Sequence, residues 1–181
     1  EVIISDSLHA VKDFYRLHAI TRKEHGLPPQ PYIFFQHVYD HVISKKMGFI
    51  ATASLNGRPI ASNVYFHSGQ EVIYKYGASD KSFQQLRANN LVMWEAIQWS
   101  CDREMKVLCF GRTEPENEGL RQFKNGWGTR EYLIKYYKYN FRENAFTDQS
   151  FSVNPLYKNI FRSLPVPVLN ILGKILYRHM G

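Results

Sequence analysis

Arg112, Glu95 and Lys124 are the charged residues whose neighbours set them apart in this chain. Arg112 closes Phe110-Gly111-Arg112 at the end of an expected buried strand. A guanidinium there can grip a phosphate or carboxylate with two parallel hydrogen bonds, or sit in an ion pair with Glu95 or Glu114. Glu95 lies beside an apolar helical stripe; burial would raise its pKa and let it deprotonate an amine, or it partners Arg112. Lys124, within Gly119-Leu120-Arg121-Gln122-Phe123-Lys124-Asn125-Gly126-Trp127-Gly128, reads by itself as a solvated lysine on a short helix. No Ser-His-Asp set is evident, so a covalent intermediate on a serine is not expected.

Two further groups of residues bear on binding. His37 and His41 stand i, i+4 on one helix, a spacing that can hold zinc, but no glutamate follows His37 and no third ligand is evident. Arg121, Lys124, Arg130, Lys135, Lys138 and Arg142 interleave with Tyr132, Tyr136, Tyr137 and Tyr139. That pattern suits a nucleotide-sugar, a lipid phosphate or a tRNA acceptor end, or else a solvated strand face over an aromatic core. His67 ranks low as a site residue.

Bulk composition narrows the classes. Apolar residues make up 44% of 181, which is enough for one packed domain and excludes a disordered tail. A net charge of +7 and a pI near 9.4 fit a polyanionic partner, or simply a basic domain. Cys101 and Cys109 form neither a CxxC pair nor a disulfide framework, so a reducing cytoplasm is expected. No stretch reaches the roughly 18 to 20 apolar residues of a membrane span. A chain that starts at Glu1, close to a helical pattern, reads as a piece of a longer protein.

The elements that must position these residues follow from periodicity. Residues 5–26 read as a helix capped by Ser5 or Asp6 and ended by Gly26; a second runs from about Tyr32 to Lys46. The period then changes to two. Phe49 to Leu55, Arg58 to His67 and Val72 to Gly77 form an antiparallel meander, with Asn56-Gly57 as a tight hairpin turn. From Asn89 a helix presents Leu91, Trp94, Ile97, Cys101 and Met105 as its apolar stripe. A buried strand at 106–111, a short helix at 116–125 and a tyrosine-rich strand at 131–140 follow. A Pro-Val-Pro break and a final helix close the chain. This order gives an α+β layered domain.

Three segments together carry a resemblance: Leu91-Val92-Met93-Trp94-Glu95-Ala96-Ile97, Phe110-Gly111-Arg112, and Gly119 through Gly128. In this order and spacing they resemble the Fem-like branch of the GNAT acyltransferase superfamily. That branch includes peptidoglycan interpeptide-bridge transferases and Fem-related proteins of exopolysaccharide clusters. The tail, Leu164-Pro165 through Leu172-Gly173, looks like the exopolysaccharide-associated subgroup. The resemblance runs from about Lys12 to the end of the chain.

It implies a GNAT-like mixed sheet, an antiparallel meander flanked by helices. Residues 1–150 would form the acyltransferase domain and 151–181 a basic amphipathic extension, packed on the domain or lying at a membrane surface. Lys158, Arg162, Lys174 and Arg178 supply that extension's charge. Fem-type proteins usually carry two such domains, so this would be the second, with an N-terminal GNAT-like domain missing. The implied activity is acyl or aminoacyl transfer to an amine of a nucleotide- or lipid-linked envelope precursor. The implied place is the cytoplasm, at the inner membrane surface. No tightly bound cofactor is expected, and the donor is aminoacyl-tRNA or acyl-CoA; the lack of a glycine-rich loop favours the first, and the tail's resemblance leaves room for the second.

By the same resemblance, Lys124 would stabilise charge on the transferred carbonyl or on phosphate, with Glu95 as candidate base. Tyr76 and Gly77, before Ala78, would line the acyl group, and Arg112 and Trp127 would hold substrate. Trp94, and Trp127 without the family context, read as core. Two departures stand out. Cys109 replaces the acidic residue that often precedes Phe-Gly-Arg; a buried Cys can take the place of an acid that only pairs with a neighbour. And 78–90 lacks the closely spaced glycines that wrap a pyrophosphate, leaving Lys81 and Arg87 to reach phosphate by side chain. A non-catalytic GNAT-like module that binds a polyanion or a partner domain is the alternative.

Overall fold

The structure, a computed structural model, describes residues 1–147 and 155–177. The chain divides into two compact units, Glu1–Gly111 with Leu156–Gly181, and Arg112–Pro155.

In the first unit, β1 (Val2–Ser5), β2 (Gly48–Leu55), β3 (Arg58–Ser68), β4 (Glu71–Ser79) and β5 (Val107–Cys109) make one sheet in that order. The first four pair antiparallel, and β5 joins β4 in parallel. Asn56 (φ 50°) and Gly57 (φ 76°) make the β2–β3 turn, the left-handed pair that such hairpins require.

Alternation along the strands divides the core between two faces. Ile50, Val64 and Ala78 pack with Val11, Phe14 and Leu17 of α1 (Leu8–Glu24). Phe49 and Tyr65 face the other way, toward Trp99 and Met93 of α3 (Ala88–Asp102). Phe35 of α2 (Tyr32–Val38) sets its ring edge-on to Phe14, 5.2 Å between centroids. A π-helical turn, Tyr39–Ile43, continues α2 and buries Ile43. Two helices follow the second unit: α5 (Pro155–Ser163) and α6 (Val166–Leu176). α6 packs on α1 through fully buried Leu169, and the Tyr15 hydroxyl donates to Asn170 Oδ1 at 3.3 Å. Arg22 donates to the Tyr177 hydroxyl at 2.9 Å.

His18 is buried between Phe14 and Phe35, with Nε2 2.7 Å from Gln30 Oε1. Burial pushes its pKa from 6.5 down to about 4. The unfolded chain therefore takes up this proton first as pH falls. Stability is full above pH 6.5, declines toward pH 4 and levels off below, a loss of about 3 kcal/mol from this group. Urea titrations at pH 7 and pH 4.5 should show the decline, and His18→Gln should flatten it.

In the second unit, α4 (Glu118–Asn125) is capped by Asn117, whose Oδ1 accepts from the Leu120 N–H at 3.2 Å. Arg121 grips both oxygens of Glu131 at 2.8 and 3.1 Å. β6 (Lys138–Asn140) and β7 (Ala145–Thr147) form an antiparallel pair.

Several expectations are corrected. Residues 2–5 are a strand, and α1 is capped by Ser7, which accepts from the Ala10 N–H, not by Ser5 or Asp6. The α3 stripe is displaced: Val92, Met93, Ala96 and Ser100 are buried, while Leu91 and Trp94 are exposed. Ala96 and Ser100 are small, which lets the helix approach the sheet closely. The strand at 107–109 is largely exposed. Tyr132, Tyr136 and Tyr137 are exposed rather than core, and only 138–140 of the tyrosine-rich segment is strand. Among the described residues, most of that segment has no partner strand to hold it extended. Among the described residues, no helix is long and apolar enough to cross a membrane. Arg178 and the tail residues 151–154 and 179–181 lie outside the described residues.

Candidate functional site

The sheet forks at β4. Pairing with β5 covers only Glu71 to Ile73 and stops at Ile73↔Cys109. Beyond it, Gly111 (φ 68°) lies against the Tyr74 carbonyl; a Cβ there would sit 2.9 Å from that oxygen. On its other edge β4 stays paired with β3, past a bulge that leaves Lys75 without a partner between Tyr74 and Tyr76.

Strand alternation fixes which main-chain groups face the fork. The Asp80 N–H donates to Ile60 O, so residues of its parity point toward β3. Ser79 points the other way: its N–H donates to Thr21 Oγ1 at 3.0 Å, and the Thr21 hydroxyl donates back to Ser79 O at 3.1 Å. Gly77 shares the parity of Ser79. Its N–H and C=O therefore lie on the open edge, between the end of β5 and the Thr21 clamp.

Beneath this edge, on the α3 face, lies a buried polar cluster. The Tyr74 hydroxyl packs on Gly77 so closely that an added Cβ would be 1.8 Å from it. Asn63 Nδ2 donates to the Tyr65 hydroxyl at 3.1 Å, while buried Asn63 Oδ1 has no partner among the described residues. Burial pushes Tyr74 up to about 12 and raises Tyr65 as well. Both phenols stay protonated at neutral pH, so they offer neutral hydroxyl groups and no base. The Tyr76 ring turns to the opposite face, among Phe14, Phe34, Phe35 and Phe66. It shapes the core behind the edge.

Lys81, Arg87 and Glu95 belong to the first unit, and Arg112, Lys124 and Trp127 to the second. Lys81 lines a cleft of about 750 Å³ with Ile20, Lys23, Glu24, Arg162 and Val166. Arg87, at φ 49°, is exposed at the N-terminus of α3. Glu95 is half-buried on α3. In the second unit, Arg112 pairs with Glu114 at 2.7 Å and stacks over the Tyr136 ring at 5.1 Å; this settles its partner between the two acids considered. Lys124 is buried rather than solvated, and its Nζ donates to Arg112 O at 3.2 Å. Trp127, half-buried, meets Phe123 edge-on. Cys109 is exposed and accepts from the Gly111 N–H, so it is not a buried stand-in for an acid. The His37 and His41 rings stack 5.9 Å apart. Thr21, Lys23, Arg162, Asn63 and Tyr74 were not legible as site residues: the first three are placed by how α1 and α5 pack, and the last two by the β3–β4 register and its bulge.

Between β4 and α3 the chain makes a 3-10 turn, Lys81–Leu86, capped by Asp80 through the Ser82 N–H and hydroxyl. The N–H groups of Asn90 and Leu91 are already bonded to Arg87 O. No glycine stands in this turn.

Residues 1–132 match the family described as acetyltransferase (GNAT) domain. Solved structures share the fold. An aminoglycoside acetyltransferase from an uncultured soil metagenomic sample, in complex with sisomicin, has a TM-score of 0.63 at 10% identity, covering 76% of this chain and 94% of that one. Aminoglycoside acetyltransferase AAC(6')-Iy, with a CoA-containing bisubstrate analogue, gives 0.60 at 16%, covering 76% and 98%. A ribosomal-protein-alanine N-acetyltransferase from Brucella melitensis gives 0.55 at 10%, covering 75% and 99%. No curated protein sequence matches the chain.

Proposed function

This chain belongs to the acetyltransferase (GNAT) domain family, and from that premise we propose that it is an N-acyltransferase using an acyl-thioester donor laid along the open edge of β4. The observation that carries this reading is the Gly77 main chain, which faces no partner strand among the described residues between the end of β5 and the Thr21 clamp. An extended arm bearing amide groups, as in acyl-CoA, can add to such an edge like a short strand. The solved complexes of AAC(6')-Iy with CoA support that donor over aminoacyl-tRNA. In the reaction a neutral amine attacks the thioester carbonyl, the C–N bond forms, the C–S bond breaks, and the thiolate leaves as the amine loses its proton.

The acceptor we propose is an amine on a nucleotide- or lipid-linked precursor of peptidoglycan or exopolysaccharide, at the inner membrane surface. Its support is the Fem-like segments around Glu95, Arg112 and Lys124, with the exposed basic and tyrosine-rich stretch from Arg130 to Arg142. In this reading Glu95 is the base, and Lys124 neutralises charge that develops on the carbonyl. Arg112 and Trp127 hold the acceptor. Lys124→Ala is then expected to lower kcat by about 10² to 10³ while the circular dichroism spectrum is kept. Unchanged turnover in a folded variant would remove Lys124 from the mechanism.

One observation favours a second reading, a non-catalytic module that binds a polyanion. The turn before α3 holds no glycine to bring the main chain close around a pyrophosphate. Thiol release from acetyl-CoA in the presence of amines separates the two, since a binding module releases none.

A further inference from the structure

The cleft beside Lys81 is built from four segments. Ile20, Lys23 and Glu24 come from the last turns of α1, Lys81 from the turn after β4, Arg162 from α5, and Val166 from the start of α6. Its walls are fixed. Gly26 lies so close to the Lys158 backbone that a Cβ would sit 2.5 Å from Lys158 O, which seats α5 against the end of α1. Buried Leu169 seats α6. Among the described residues Arg162 makes one hydrogen bond, Nε to Glu24 O at 3.1 Å, which leaves the fork of its two terminal NH₂ groups open there.

Charge in the cleft is unbalanced. Lys23, Lys81 and Arg162 line the cleft with one carboxylate, Glu24, which feels both Lys81 and the nearby Asp80; none of the three cations is in a salt bridge among the described residues. Nearby, His25 is held below its ordinary pKa, first by partial burial and then by Arg22, Arg162 and Lys81. Ile20 and Val166 give the same cleft an apolar side.

We propose that this cleft binds a phosphate ester: the anion between Lys23, Lys81 and the Arg162 fork, its organic part against Ile20 and Val166. A guanidinium fork fits two phosphate oxygens at once, and the two ammonium groups balance the dianion. The tail thus completes a binding site that α1 and the β4 turn only begin. The proposal stands on the cleft and holds whichever donor the sheet fork takes.

Calorimetric titration of the whole chain tests it with two probes. Adenosine 3',5'-bisphosphate represents a nucleotide source, and dihexanoyl phosphatidic acid, below its micelle concentration, a lipid source. Saturable binding of either probe is expected, and the tighter one names the source. Arg162→Gln and Lys81→Gln should each weaken it about 10-fold, while Lys174→Gln, an exposed cation outside the cleft, should leave it unchanged. Failure of both probes to bind folded protein would overturn the site. So would equal weakening by Lys174→Gln, which would mark the attraction as general surface charge. Neither readout involves acyl transfer, so a loss here is distinct from a failure of the transferase reading.

Discussion

Gly77→Ala is expected to destabilise the chain by about 1 to 3 kcal/mol and to lower kcat/KM about 100-fold. The new methyl would lie 1.8 Å from the Tyr74 hydroxyl and 3.1 Å from Asn63 Oδ1. The Tyr74 ring is half-buried and packs beside the Tyr65 ring, 5.5 Å between centroids, so either the ring leaves that contact or β4 must shift. A shift of β4 moves the open edge, and misplacing a reactant by an ångström is enough for a loss of that size. Tyr74→Phe in the same chain should recover part of both losses. It removes the nearest atom but leaves Cζ 2.9 Å from the methyl. Denaturation midpoints and thiol release, measured on the single and double variants, check the argument. Wild-type stability and turnover in Gly77→Ala would mean that Tyr74 does not rest on Gly77.

Gly173→Ala is expected to cost about 2 to 4 kcal/mol, comparable with truncating a buried leucine. The added methyl would lie 2.1 Å from Pro29 O, and backbone stands on both sides of the contact. No rotamer change relieves it. α6 must move off the segment between α1 and α2, which loosens fully buried Leu169 and the bonds from Tyr15 to Asn170 and from Arg22 to Tyr177. Gly173 lies beyond the residues that match the family, so a large effect would make the tail part of the folding unit. Thermal unfolding of Gly173→Ala beside Leu169→Ala gives the comparison. A change of a few tenths of a kcal/mol would show that α6 adds little stability.

Local chemistry made part of this fold readable in advance. Asn56-Gly57 names its turn, and the period-two runs on either side name their strands. α3 shows where such reading stops. Val92, Met93, Trp94, Ala96 and Ile97 leave two candidate faces, and only the closeness of the sheet selects the one with Ala96 and Ser100. β1 was missed although Val2-Ile3-Ile4 is β-branched, because a four-residue edge strand has too short a pattern to outweigh the helix beside it. At the candidate site, the edge around Gly77 was legible through the family resemblance. The reason Gly77 must be glycine was not, since it depends on Tyr74 crossing the bulge at Lys75. The Arg162 contact was hidden for a similar cause: Arg162 and Glu24 are 138 residues apart in sequence.

The central claim is that the open edge of β4 receives an acyl-thioester. Calorimetric titration of acetyl-CoA into the folded chain tests it most directly. The account predicts saturable binding with a dissociation constant in the micromolar range, weakened by Gly77→Ala even when Arg162→Gln has removed the cleft's contribution. Absence of binding to a chain that unfolds cooperatively would contradict it and favour the polyanion-binding module.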